Sequence, residues 1–221
     1  MDNRIKARDG NFMSSNMLKL KPVEIPLFPL KTVLYPGGRL PLRIFEPRYV
    51  DLVTSCLKQS IGFGIVLIRN GSDSRVADKR QPDIYNVGTY AEIIDFNQLK
   101  DGLLGIIARG KHKFRILRKF EMDDHLLMAE AEFLPAEPRE VLDASHMDMV
   151  NTLKELVKHP MVQKLQKQMR IDIDYTDASS VSLRLAELLP LDPDSKQSLL
   201  QLNHPKERLN ELARMLTALS G

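Results

Sequence analysis

One cysteine, Cys56, stands in the whole chain. That scarcity excludes an intramolecular disulfide and any zinc site built from several thiolates, and it fits a reducing, cytoplasmic setting. Apolar runs of the roughly 20 residues needed to cross a bilayer are also absent. The first residues are followed by polar ones rather than by the apolar segment of a secretory signal, so no membrane partner is expected. Charge of one sign is missing too: 32 lysines and arginines against 29 aspartates and glutamates leave +3, which gives little whole-molecule support for a nucleic-acid partner. No segment recurs at a fixed period, which removes solenoids and propellers. The histidines, His112, His125, His146, His159 and His204, show no metal-ligand spacing, and neither a metal nor a cofactor is expected.

What is present is an ordinary globular composition, 43% hydrophobic and 28% charged, in a chain of 221 residues, enough for two small units with real cores. The run from Ile25 to Tyr49 organises the first. It sets Pro26, Pro29, Pro36, Pro41 and Pro47 between short apolar stretches, a pattern that forbids a helix and demands extended segments with fixed corners. Pro36-Gly37-Gly38 marks the sharpest reversal. Helical spacing at Tyr49, Leu52, Val53, Cys56 and Leu57 predicts a short amphipathic helix, with Cys56 as a buried, inert thiol. Ile61 to Ile68 is apolar almost throughout and predicts a strand buried on both faces. A polar surface loop is expected from Arg69 to Asp83, then strands over Val87–Asp95 and Leu103–Ala108, with Gly110 as the turn into another strand over Lys113–Phe120. Leu127, Ala129, Ala131 and Phe133 alternate with Met128, Glu130 and Glu132, the pattern of a strand with one wet face.

Composition shifts at Pro135 to Arg139, and beyond it the period becomes helical. Met149, Val150, Leu153, Leu156 and Val157 form a stripe that Pro160 interrupts and Val162, Leu165 and Met169 continue. Later helices run from about Ala178 to Leu189, from Asp192-Pro193 through Leu202, and from Pro205 with Leu209, Leu212, Ala213, Leu216 and Leu219 inward. The expected organisation is a flexible leader over 1–22, a β unit over 23–136 and a helical bundle over 140–221.

Candidate chemistry is sparse. Gly105 to His112 nearly matches a phosphate-binding loop, but His112 replaces the hydroxyl that would hold magnesium, and Ile106 and Ile107 belong to a strand. Arg109, Lys111, Lys113 and Arg115 recur with period two. They define either a phosphate-binding ladder for RNA or a solvated face paired with Glu130 and Glu132, and no aromatic platforms interleave them. Asp123-Asp124 and Asp172 to Asp174 read as acidic turns. No catalytic set emerges. A small-molecule pocket between the two units, lined by Tyr90 and Phe96, is a third possibility.

Several motifs, in order, resemble the N-terminal, substrate-binding domain of the ATP-dependent protease Lon. They are Ile25-Pro26-Leu27-Phe28-Pro29-Leu30, Val33-Leu34-Tyr35-Pro36-Gly37, Leu40 to Tyr49, Phe63-Gly64-Ile65-Val66, Val87-Gly88-Thr89 and Gly110 to Ile116. The resemblance runs from about Ile25 into the C-terminal helices and implies an α+β fold: an N-terminal β pseudo-barrel of the PUA-like kind followed by a helical bundle. It further implies a stand-alone bacterial member without the ATPase module or the Ser/Lys dyad, hence not an enzyme. The function implied is recognition of unfolded or partly folded polypeptide through exposed apolar segments, as an adaptor in proteolysis or quality control, with a protease or chaperone as a further partner. Arg43, Phe45, Arg48 and Tyr49 are the peptide-binding candidates. Each also has a purely structural alternative, the aromatic rings as core and the arginines as pins of the turn.

Overall fold

Proline-fixed corners and alternating apolar residues build the first half of the molecule as a seven-stranded sheet. The computed structural model describes residues 21–71, 81–163 and 173–220, the last two of these without their side chains. The leader up to residue 20, most of the loop expected after Arg69, and the expected Leu165, Met169 and Asp172, with the Leu219 side chain, lie outside the described residues. The strands are β1 (Val23–Leu30), β2 (Arg39–Ile44), β3 (Phe63–Asn70), β4 (Asp83–Ile84), β5 (Val87–Gln98), β6 (Leu104–Glu121) and β7 (Leu127–Phe133). They are mixed with helices α1 (Pro47–Gln59), α2 (Met147–Lys158), α3 (Ala178–Leu188), α4 (Pro193–Gln201) and α5 (Pro205–Ser220).

Pairings are antiparallel along β1-β7-β6-β5-β3, and the path returns to β1 through a parallel pairing of β1 with β3 that sets Phe28 opposite Ile65. β3 is buried on both faces, as its composition predicts. Val66 and Ile68 join Leu27, Phe114 and Ala129 in one cluster, while Ile65 joins Phe28, Phe63, Ile106 and the inner face of α1 in another. A third cluster holds the helices together and takes in Tyr35 and Val87 from the sheet side.

Two expectations need correction. Lys113–Phe120 is not a separate strand, because β6 runs unbroken for 18 residues and Gly110 makes no turn. Gly110 is needed there for close approach: a Cβ on it would lie 2.4 Å from the Tyr35 carbonyl oxygen. Its N–H instead donates to the Gly38 carbonyl and its carbonyl accepts from Gly37 N–H, which ties the Pro36-Gly37-Gly38 turn to the middle of β6. That turn is where expected, with Gly37 at φ +74°, a conformation open mainly to glycine.

The helix ends follow their sequence signals. The Asp177 carboxylate accepts from the Ser179 and Ser180 N–H groups, and Asp192 accepts from Ser195 N–H ahead of Pro193. α2 stops at Lys158 before Pro160.

Candidate functional site

The corner between β2 and α1 produces a groove. Pro47 opens α1 with its φ already helical and no N–H to satisfy, while Glu46 stays extended and its carbonyl accepts from Tyr49 and Val50. Phe45 is therefore stranded between the end of a strand and the start of a helix, belonging to neither packed face. It is 60% exposed. Beside it Phe28, Leu30, Leu42, Arg43, Ile44, Glu46 and Tyr49 complete the walls of a cavity of about 200 Å³.

The four candidate residues of this corner divide. Tyr49 is buried and stacks on Phe28 with ring centroids 4.0 Å apart, so it is wall rather than free contact. Arg48 is a pin: its guanidinium bonds to Glu46 at 2.8 and 2.9 Å, donates to the His125 carbonyl at 2.9 Å and lies over the Tyr49 ring. Arg43 lines the groove and reaches Asp101 from an exposed position. Phe45 alone offers a large apolar surface to solvent. Phe28, Leu30 and Leu42 were not singled out by sequence; their alternation along β1 and β2 marked them only as apolar, and the pairing of strands decides which of them reach the rim.

The basic residues of β6 do not form a ladder. His112 pairs with Tyr90 and Gly110 with Ala91, so Lys111 is an extra residue that breaks the alternation. Arg109, opposite Glu92, and Lys113, opposite Thr89, consequently point to opposite faces. Lys111 pairs with Glu92 at 3.3 Å, and Arg115 with Glu132 at 3.1 Å. Lys113 is 4% exposed and donates to Glu137 at 2.9 Å, to Asn203 at 3.0 Å and to the Leu202 carbonyl at 2.7 Å. An RNA-binding row on this strand has no support.

Glu137 also receives Arg208, whose side chain is fully buried and which donates further to Ser182 and to the Leu199 and Leu202 carbonyls. Burial pushes the Glu137 carboxyl up, but Arg208 and Lys113 outweigh it and hold it below its ordinary value. Sequence reading placed Lys113 in the basic row of the strand and singled out neither Glu137 nor Arg208. Arg208 had a signal, since it lies four residues before Leu212 on the apolar stripe of α5.

Other candidates are inert. Cys56 is buried and its thiol is pushed up to about 11 by desolvation. Among the described residues no group of three or more His, Cys, Asp and Glu side chains could hold a metal ion. Asp124 and Asp174 accept backbone N–H groups within their own turns. The cavity at the junction of sheet and helices, about 230 Å³, is lined by Lys111, His112, Leu134 and Pro135 rather than by Tyr90 or Phe96. Tyr90 packs edge-on against Phe133, and Phe96 is exposed.

Comparison with known proteins decides the family. The family model for the ATP-dependent protease La (LON) substrate-binding domain matches residues 24–218. The chain belongs to the Lon substrate-binding domain family. A crystal structure of a Lon N-terminal domain protein from Xanthomonas campestris superposes with a TM-score of 0.71 at 32% identity, over 87% of this chain and 98% of that one. The N-terminal domain of a Mycobacterium avium complex Lon protease, at 16% identity and a TM-score of 0.56 over 86% of this chain and 96% of that one, shares the fold. Lon proteases of Flavobacterium johnsoniae and Halothermothrix orenii are 26% and 24% identical over 88% and 89% of this chain, but over only 24% and 25% of their own lengths. The chain thus spans about a quarter of the curated relatives it matches. In this Lon-family chain the matched residues take in the sheet and the helices together, from β1 into α5. No helix among the described residues is long and apolar enough to cross a membrane.

Proposed function

We propose that this chain is a non-catalytic polypeptide-recognition module that holds exposed apolar segments of unfolded or partly folded proteins in the groove between β2 and α1. The observation that carries the reading is Phe45, a large aromatic side chain 60% exposed on the rim of an apolar cavity whose walls include Phe28, Leu42 and Tyr49. An exposed aromatic beside a preformed apolar cleft is the arrangement that captures a side chain of an extended segment by burial. The family description, which names substrate binding, supports the same reading, as does membership among Lon protease relatives. Arg43 is the rim residue for a carboxylate on the bound segment, while Arg48 and Tyr49 shape the groove from behind. The ring of strand pairings from β1 back to β1 is consistent with a pseudo-barrel of the PUA-like kind. Delivery of bound chains to a protease or chaperone, as an adaptor, is the role that fits a reader of this sort.

Titration with a reduced, permanently unfolded model protein tests the reading. Saturable binding at micromolar concentrations is expected, with the oxidised, folded form of the same protein silent. Equal behaviour of the two forms would sink it.

A further inference from the structure

The geometry points to a second contact site, for a carboxylate, in the cleft where the Pro36-Gly37-Gly38 turn meets β6 and the start of α3. We infer that it takes an Asp or Glu side chain of a bound polypeptide, with the apolar neighbour of that residue in the adjoining cavity. The inference rests on the reading of the chain as a polypeptide reader, but on different residues.

Arg39 and Arg109 are direct cross-strand partners of β2 and β6. Like charges so placed repel each other. Among the described residues neither has a carboxylate within ion-pair distance, and Glu92, the neighbour of Arg109 on β5, is taken by Lys111 at 3.3 Å. Arg39 and Arg109 both line a polar cavity of about 290 Å³, together with Asp177, Ser180 and Arg184. Arg184 is neutralised by Glu187 and holds the Pro36 carbonyl, and Asp177 spends its carboxylate on backbone N–H groups of Glu140, Ser179 and Ser180. Arg39 and Arg109, without an ion-pair partner among the described residues, are therefore the charges left to the cavity, and two guanidinium forks suit the two oxygens of a carboxylate. Pro36, Ser179 and Leu183 are shared with the junction cavity of about 230 Å³, which adds the apolar surfaces of Leu134 and Pro135. A cationic end continuous with an apolar end selects an acidic residue next to an apolar one.

The test uses the full chain and labelled peptides with a central Leu-Asp-Leu or Leu-Asn-Leu, followed by fluorescence anisotropy. The Asp peptide is expected to bind about tenfold more tightly than the Asn peptide. Arg39→Glu, which gives Arg109 an internal partner, should abolish that preference while the thermal midpoint holds or rises, so loss of fold cannot explain the result. Arg109→Gln should weaken the preference without reversing a charge. Equal affinity of the two peptides for the unaltered chain, or a preference that survives Arg39→Glu, would overturn the site. Failure of both peptides while the unfolded model protein still binds would overturn the cleft alone; failure of all three would remove the polypeptide reading on which it rests.

Discussion

Glu137 shows what a single residue contributes at the junction of sheet and helices. Its carboxylate sits between Lys113 and Arg208 and also accepts from Ser179, so removing its charge leaves two buried cations facing each other. Glu137→Gln is expected to cost about 3 kcal/mol, read from urea unfolding. The pH dependence follows from the same geometry. A carboxyl held below its ordinary value in the folded state stabilises the fold above the unfolded value, about pH 4.3, and loses that contribution as pH falls through the folded value. Burial raises Glu187 despite Arg184 and Lys196, so its contribution runs the other way: present below the unfolded value, lost as pH rises through the folded one. Comparing the variant with the parent cancels Glu187. The gap in thermal midpoint between them should be widest near neutrality and should close on acidification; a gap independent of pH would show that Glu137 acts by shape and not by charge.

Among the elements, β6 is the one whose true form was least legible. Strand residues on either side of Gly110 were evident from their apolar content, and the helix start at Asp192-Pro193 and the breaker Pro160 from their own chemistry, because these act through their immediate neighbours; the Asp177 cap was not read. Gly110 read as a turn because a glycine between two strand-like runs usually is one; the reason for it here is the Tyr35 carbonyl, 75 residues earlier in the chain, and no local pattern encodes that contact. The same holds for Lys113. Period two would give it the same face as Arg109, and the extra residue at Lys111 shifts it to the other. At the groove, Phe45 and Tyr49 were visible as aromatics in a proline-bounded corner, but which of the two is exposed depends on where α1 begins. Gly110→Ala should cost about 2 kcal/mol in urea unfolding, since the added methyl meets backbone rather than a movable side chain. A neutral effect would mean that the turn and the strand can separate without loss.

At the scale of the whole molecule, we propose that the expected division between a unit over 23–136 and a bundle over 140–221 is not one of stability. Tyr35 donates to the Lys196 carbonyl, Gln197 to the Val87 carbonyl and Lys113 to the Leu202 carbonyl, each joining the sheet side to the helices. Far-UV circular dichroism and tyrosine fluorescence should therefore report one coincident unfolding transition; two separated transitions would show that the parts stand alone. Such a joined body gives the groove a rigid frame: Phe28 and Tyr49 are fixed in the core, and only Phe45 projects. The central claim is that this projection captures unfolded polypeptide, and the most direct measurement is the affinity of the Phe45→Asp variant for a reduced, unfolded model protein. The account predicts an unchanged thermal midpoint and a loss of affinity of tenfold or more, about 1.4 kcal/mol or above. Undiminished binding by a folded Phe45→Asp variant would contradict it.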